Sequence, residues 1–273
     1  MDELQKMDEG ISIIKNRSIS LFLITLISGF TFDNNAAAFS MPAWYTEKAW
    51  HPVISIGMGT ATSSDIGQSA SFPSSNSSTS EFYNYSANEP TQTSGLLEGF
   101  IGGEVNLQPN WAMQAGLDYT QPAPFFARGN LTQGADVSSE NHYIYHYSVL
   151  TRQLLAEGKL FYVYKEHYRP YLLLGMGAAF NKAYDYYTNA SPYLTFTRMY
   201  ANQSSTSFSY SVGLGIDFDI TKQIRLGVGY RFANLGKIEL GNATIDNVNV
   251  AGTLSQSNTY INEVLGQFTW VFC

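Results

Sequence analysis

Cysteine, charge and long apolar runs are all scarce in this chain. The one cysteine among the 273 residues is Cys273, so no disulfide can form within the chain. Charged residues make up 14% of the sequence, whereas soluble domains usually carry about 25%. The formal net charge is −7 and there is no basic stripe, which argues against a nucleic-acid partner.

The longest apolar run is too short to cross a bilayer as a helix. It covers about 14 residues, 19–32, whereas a spanning helix needs about 20. Lys15 and Arg17 precede the run and three alanines follow it at 36–38, which is the order of a signal peptide. We therefore predict a cleaved signal peptide at 1–38. An uncleaved anchor is the alternative. The residues before Lys15 are unusually acidic for a signal peptide.

Tyrosine, phenylalanine and glycine are abundant instead, and they alternate along the chain. Residues 208–219 are the clearest case, since each even position is large and apolar and each odd one is Ser, Gly or Asp. This is the period of a strand with two different faces. A soluble β-sandwich also alternates, but paired glycines on its polar face are rare. The large residues would meet lipid and the small ones a narrow interior.

The same alternation recurs in eight segments. They lie near 51–60, 97–105, 111–120, 148–164, 169–182, 208–219, 224–233 and 259–272. Short turns at 108–110, 166–168 and 220–223 alternate with long polar segments at 61–93, 121–142, 184–206 and 235–257. Short turns belong on the periplasmic side of a membrane barrel and long loops outside. We predict an all-β fold for 39–273, an eight-stranded antiparallel up-and-down transmembrane β-barrel.

Three stretches resemble the small bacterial outer-membrane β-barrel superfamily. They are RPYLLLGMGAAF at 169–180, GLGID at 213–217 and RLGVGYR at 225–231. The superfamily includes the barrel of outer membrane protein A, the opacity-type adhesins and the outer membrane protein W group. The resemblance covers about 50–273 and implies a Gram-negative outer-membrane location, with lipid and lipopolysaccharide as partners. It implies little about function, because such barrels have many roles.

The last strand carries a further resemblance. Phe268, Trp270 and Phe272 share one face and end almost at the terminus. Such a strand resembles the signal that the outer-membrane insertion machinery reads, which makes that machinery an expected partner. Cys273 after the final Phe departs from the usual pattern.

The alternation directs nine charged residues into the predicted interior. They are Glu98, Glu104, Asp118, Glu157, Asp217 and Glu263, with Lys159, Arg225 and Arg231. An isolated buried charge costs several kcal/mol, so buried charges must pair. We predict a polar network that fills the lumen. The alternative is a narrow channel for small or hydrophobic solutes, as the outer membrane protein W resemblance implies.

One pair of residues raises the alternative of catalysis. His146 and Ser148 resemble the His-x-Ser pair of the lipid A deacylase family, in which His activates Ser. Val149 stands where that family has Asn, and Glu157 has the opposite parity to Ser148. We predict a protein that is not an enzyme. The spacing of its histidines does not suit a metal site, and no cofactor is expected.

The long loops are the predicted site of function. A structural role, or adhesion to host surfaces or glycans by a monomer, is expected. The third loop is the adhesion candidate on account of Tyr184, Tyr186, Tyr187, Tyr193 and Tyr200. The alternative is that these tyrosines form an aromatic belt and a β-extension above the membrane. By parity Arg152 points toward lipid. Either it lies near the headgroups and binds lipid A phosphate, or the strand register shifts at this point.

Overall fold

A computed structural model defines the fold for most of the chain after residue 49. The described residues are 50–64, 66, 70–73, 82–88, 91–134, 141–165, 167–189, 197–245 and 247–272. The chain divides into two units, Met1–Thr46 and Glu47–Cys273, and every described residue lies in the second. The predicted signal peptide at 1–38, Tyr193 and Cys273 lie outside the described residues.

All regular elements among the described residues are β-strands. They are β1 His51–Ser64, β2 Ala70–Pro73, β3 Phe82–Ala87, β4 Thr91–Gln108, β5 Trp111–Pro122, β6 Phe125–Gly134, β7 Asn141–Tyr162, β8 Tyr168–Thr188, β9 Met199–Tyr200, β10 Gln203–Asp219, β11 Ile224–Asn234, β12 Ile238–Glu239, β13 Ala243–Ile245, β14 Val248–Val250, β15 Ser255–Gln256 and β16 Tyr260–Val271. None of these residues belongs to a helix long and apolar enough to cross a membrane.

Eight long strands pair with their neighbours, and all of these pairings are antiparallel. The order is β7, β5, β4, β1, β16, β11, β10 and β8, and β8 pairs in turn with β7. Each of the eight segments predicted from the alternation contributes to one of these strands. The register aligns residues of equal character, so that Ile54 lies between Ile101 and Trp270.

The two faces of these strands differ sharply. Apolar side chains such as Met58 and Phe208 are 68% and 69% exposed on the outward face. The inward face carries charged, small and aromatic side chains that are buried. This distribution inverts that of a water-soluble domain and suits strands whose outward face is in lipid.

Glycines on the inward face make room for large neighbours. A Cβ atom at Gly215 or at Gly229 would lie 2.4 Å from the hydroxyl oxygen of Tyr171. Tyr171 can therefore fill the interior only because these two positions carry no side chain. The paired glycines of the sequence thus reflect packing, since an interior this narrow is filled by side chains.

Strands β5 and β6 pair with β7 one after the other. Thr120 of β5 lies opposite Gln153, and Phe125 of β6 lies opposite Val149. Pro122 ends β5, and proline interrupts a ladder because it has no N–H to donate. β6 and β3 also pair, and β3 pairs with β2. We call β2, β3, β6 and residues 141–149 of β7 the extension.

The segments predicted to be long loops contain strands. Strands occur within all four segments that were predicted to be long loops, 61–93, 121–142, 184–206 and 235–257. In the last two, β9, β13 and β14 form a small sheet and β12 pairs with β15. These strands were not predicted because outward polar residues such as Asn84, Asn130 and Thr132 hide the alternation, although inward residues such as Tyr83 and Leu131 are buried.

Candidate functional site

The interior of the eight-strand ring holds a network of ion pairs centred on Arg231. Its guanidinium Nε donates to Glu263, and its Nη1 donates to Asp118 at 3.0 Å and to Glu157 at 3.3 Å. Its Nη2 donates to the hydroxyl of Thr120 at 2.6 Å. Arg231 itself is 1% exposed. Carboxylates from three strands therefore converge on one buried cation.

Lys159 forms a second centre beside this one. Its ammonium donates to Gln267 Oε1 at 3.1 Å and lies 3.7 Å from Glu157. The amide of Gln267 in turn donates to Glu98 at 2.9 Å. The ammonium also lies 5.2 Å from the ring centre of Tyr171, within range of a cation–π contact.

Two of these bonds cross the whole ring. Lys159 is on β7 and Gln267 is on β16, which are four pairings apart in either direction around the ring. Arg231 on β11 and Asp118 on β5 are likewise four pairings apart. Because each bond joins strands on opposite sides of the ring, these four side chains fill the centre of the interior and leave no open axis between them.

A third layer lies nearer the short turns. Arg225 donates through both terminal nitrogens to Glu104, one of these bonds being 2.8 Å long, and its Nε is 2.7 Å from Asp219. Arg169 binds the same two carboxylates, at 2.6 Å from Asp219 and 3.3 Å from Glu104. The sequence reasoning missed Arg169 and Asp219. Parity would have found Arg169, because it shares the inward face of Tyr171.

The nine interior residues predicted from the sequence lie inside the ring, and eight of them form ion pairs in this network. Glu98, Glu104, Asp118, Glu157, Lys159, Asp217, Arg225, Arg231 and Glu263 are all buried. Asp217 alone of the nine makes no ion pair with the described residues. Carboxylate oxygens of Glu98, Asp118 and Glu157 lie within 4.8 Å of one another, a grouping that could hold a metal ion. The guanidinium of Arg231 already serves as their shared cation.

Four tyrosines pack above the network, in a core cluster shared by the extension, β8 and β9. Tyr85 lies 5.3 Å from Tyr145 and 6.1 Å from Tyr200 between ring centres, and Tyr186 lies 4.8 Å from Tyr200. Burial raises the pKa of Tyr145 to about 12 and raises the pKa values of the other three. The hydroxyls are therefore neutral, and the cluster adds hydrophobic packing without charge.

The cluster changes the interpretation of the third loop. Tyr186 and Tyr200 are each 6% exposed and contribute to the core, whereas Tyr187 is 51% exposed on the outward face. Arg198 is buried against the ring of Tyr83 and donates from Nη1 to the carbonyl of Ala251 at 2.8 Å. Tyr186 and Tyr200 therefore fit the alternative of a β-extension better than that of an adhesion loop, because buried side chains are not available for adhesion.

His146 and Ser148 both lie on the outward face of β7. The imidazole stacks on Tyr187 with 4.8 Å between ring centres. Partial burial and then the nearby Arg128 hold the pKa of His146 below its usual value. Among the described residues no hydrogen bond joins His146 to Ser148, and Glu157 is buried on the opposite face. The pair thus lacks the contacts by which a base activates a nucleophile.

The three aromatic residues of the last strand lie outward. Phe268, Trp270 and Phe272 are 38%, 42% and 45% exposed. Trp270 stacks on Phe272 with 6.1 Å between ring centres. Ile54 and Ile56 of the paired strand β1 complete an apolar groove beside them. The predicted insertion signal therefore lies on the outward face where the first and last long strands meet.

The chain is similar to a protein-family model and to several solved structures. A family model described as outer membrane protein beta-barrel domain matches residues 34–255. The chain is similar to the outer membrane protease OmpT from Escherichia coli, with 10% identity, coverage of 88% of this chain and 100% of that chain, and a TM-score of 0.45. It is also similar to the outer membrane protein OprG from Pseudomonas aeruginosa, with 12% identity, coverage of 81% of this chain and 95% of that chain, and a TM-score of 0.41. A third similar structure is that of Ail of Yersinia pestis in complex with the heparin analogue sucrose octasulfate. Its identity is 13%, its coverage is 82% of this chain and 99% of that chain, and its TM-score is 0.36. No curated protein matches the sequence.

Proposed function

The chain belongs to the outer membrane protein β-barrel domain family, and from that premise we propose that it is a non-conducting, non-enzymatic surface protein. It is an outer-membrane protein of a Gram-negative bacterium. In the proposal, the ring of β7, β5, β4, β1, β16, β11, β10 and β8 is an eight-stranded up-and-down barrel. The ion-pair network closes its lumen, and the extension acts outside the cell.

The dimensions of the outward apolar face support this placement. Residues from Arg152 to Tyr162 of β7 would rise roughly 23 Å at about 3.3 Å per residue and a tilt of about 45°. The apolar band of such barrels is about 25 Å tall. Tyr162 and Trp111, whose rings are 5.2 Å apart, then lie at the periplasmic interface. Arg152 lies at the outer interface, and the extension is outside the membrane.

The closed lumen is the part of the proposal that the geometry supports best. The observation that carries it is the pair of hydrogen bonds between opposite walls, Lys159 to Gln267 and Arg231 to Asp118. Each of the four side chains is at most 4% exposed. A continuous water column would require at least two charged side chains to leave their partners, which costs several kcal/mol.

Conductance measurements test the closed lumen. The full chain, refolded into planar bilayers after its heat-dependent gel migration has been checked, should show no discrete current steps. A second sample, Lys159→Ala/Gln267→Ala, removes one bond across the lumen but keeps Arg231, and should also remain closed. Discrete steps from the wild-type protein would contradict the proposal and favour the narrow channel.

The outer end of the extension is the proposed contact surface. Asn84, Thr132 and His142 lie in one row across three paired strands, and Phe82 lies beside them with 43% exposure. This row is the part of the described outward face farthest along β7 from Arg152. Polar side chains beside an exposed aromatic ring can both hydrogen-bond and bury apolar area, which suits a host surface or a glycan.

Binding of whole cells tests the contact surface. Cells that display Phe82→Ala/Asn84→Ala/His142→Ala should bind host cells at least tenfold more weakly than cells that display the wild-type protein, because about 1.4 kcal/mol corresponds to tenfold. Val248→Ser is the matched control, since Val248 is 55% exposed in β14 and lies outside the row. Equal binding by the triple variant and the wild type would exclude this surface.

A further inference from the structure

The outward face of β6, β7 and β8 is cationic although the chain as a whole is acidic. Arg128, Arg152 and Lys182 are exposed there, and none of them forms an ion pair with the described residues. Arg152 lies opposite Phe180, and Lys182 lies opposite Leu150. We call Arg128, Arg152 and Lys182 the cationic patch.

The acidic residues of the described chain lie almost entirely elsewhere. Glu98, Glu104, Asp118, Glu157, Asp217 and Glu263 are buried in the lumen. Asp219 is paired with Arg225 and Arg169, and Glu239 is paired with Lys237 at 2.6 Å. Asp185 is the exposed acidic residue closest along β8 to the patch. None of these described carboxylates forms an ion pair with the patch, so the patch is open to anions from outside the described chain.

The height of the patch indicates where those anions lie. With the placement proposed above, Arg152 is at the outer edge of the apolar band, and Lys182 is about 5 Å farther out at about 3.3 Å per residue with a tilt of about 45°. Arg128 pairs with His146 and lies farther out again. An arginine costs about 2–4 kcal/mol at the bilayer midplane but about 0–1 kcal/mol at the interface. The cations are therefore placed where charge is tolerated.

The character of the exposed side chains changes in a regular order along this face. Leu154 is 44% exposed below Arg152, and Phe180 is 46% exposed beside it. Above them the ammonium of Lys182 lies 5.2 Å from the ring centre of Tyr184. Apolar side chains are thus followed by cations and then by polar and aromatic groups. A phosphorylated glycolipid has the same order of acyl chains, phosphates and sugars.

We propose that the cationic patch binds the phosphate groups of one lipopolysaccharide molecule in the outer leaflet, with its acyl chains against Leu154 and Phe180. Arg152 and Lys182 bind phosphate near the membrane boundary, since guanidinium forms bidentate bonds to phosphate and ammonium acts as a point charge. Arg128 binds an anionic group farther out. The proposal rests on the proposed membrane placement of the barrel.

The test measures thermal stability of the refolded full chain in zwitterionic phospholipid vesicles with increasing lipopolysaccharide. A ligand that binds only the folded state raises the unfolding midpoint by mass action, so the midpoint gives an apparent affinity. Each cation near an anionic lipid surface contributes about fivefold in affinity. Arg128→Gln/Arg152→Gln/Lys182→Gln should therefore bind roughly a hundredfold more weakly, whereas Lys237→Gln, with the same change of charge per residue outside the patch, should bind like the wild type.

Three results would overturn the proposal. One is equal affinity of the triple variant and the wild type. Another is equal stabilisation of the wild type by lipopolysaccharide whose phosphates have been removed. The third is equal stabilisation by inorganic phosphate, which would mean that no lipid is recognised. Heat-dependent gel migration of the wild type without lipopolysaccharide tests the barrel itself, so failure of the barrel and failure of the patch are distinguishable.

Discussion

Arg231→Met should lower the free energy of unfolding by about 3–5 kcal/mol, the cost of leaving buried charges without their partner. The guanidinium is bonded to Glu263, Asp118 and Glu157 at once. Methionine has a similar length and fills part of the space, so the loss reports charge compensation more than a cavity. Urea unfolding of the full chain in phospholipid vesicles, followed by gel migration, measures the change.

A double-mutant cycle and a surface control make this result specific. Arg231→Met/Glu263→Gln should recover part of the lost stability, because it removes one of the uncompensated charges, and direct contacts couple by about 0.5–3 kcal/mol. Lys237→Met removes an exposed ion pair with Glu239 and should change stability by about 0–1 kcal/mol. If the free energies of unfolding of Arg231→Met and Lys237→Met differ by less than about 1 kcal/mol, the network does not stabilise the fold as proposed.

The inward direction of these residues was predictable because a strand has a period of two. Once Leu97 and Met113 are assigned to the outward face, Glu98 and Gln114 must lie inward. The partners could not be predicted in the same way. Glu104 and Arg225 are separated by 121 positions, and their contact depends on the stagger between strands around the ring. Stagger comes from the whole ring rather than from any one strand.

The extension was harder to predict, for a different physical reason. Residues 125–134 alternate too, but polar Arg128, Asn130 and Thr132 occupy outward positions of the kind that carry Leu and Ile in the eight long strands. The buried face is completed by distant residues, such as Leu240 and Leu254, that belong to the same core cluster as Leu131. A period-two pattern without an apolar outward face is weak evidence for a strand.

Arg169 shows a third limit. It lies at the start of β8, directly before Pro170 and after the short turn, where the alternation is just beginning. Its ion pairs with Glu104 and Asp219 involve residues near the ends of two other strands. Strand ends are the least certain part of any assignment from sequence. The layer nearest the short turns was therefore predicted only through Glu104 and Arg225.

The outward face offers the other large effect, because Ile101→Arg should destabilise the protein by about 2–4 kcal/mol in a bilayer. Ile101 is 55% exposed and lies midway along the proposed spanning part of β4, between Ile54 and Leu117. In a water-soluble sheet the same exposed position would accept arginine at little cost. The substitution therefore tests whether this face is in lipid.

Thr91→Arg is the matched control on the same strand and the same face. Thr91 is exposed and pairs with Ser64 beyond the outer end of the proposed apolar band, so arginine there should cost about 0–1 kcal/mol. Urea unfolding in vesicles measures both variants against the wild type. Equal stability of Ile101→Arg and Thr91→Arg would mean that β4 does not cross the membrane. Both substitutions add the same side chain to the same strand, so the difference between their free energies of unfolding reports position alone. A difference of about 2 kcal/mol or more would place the apolar band where the exposed side chains of β4 and its neighbours predict it.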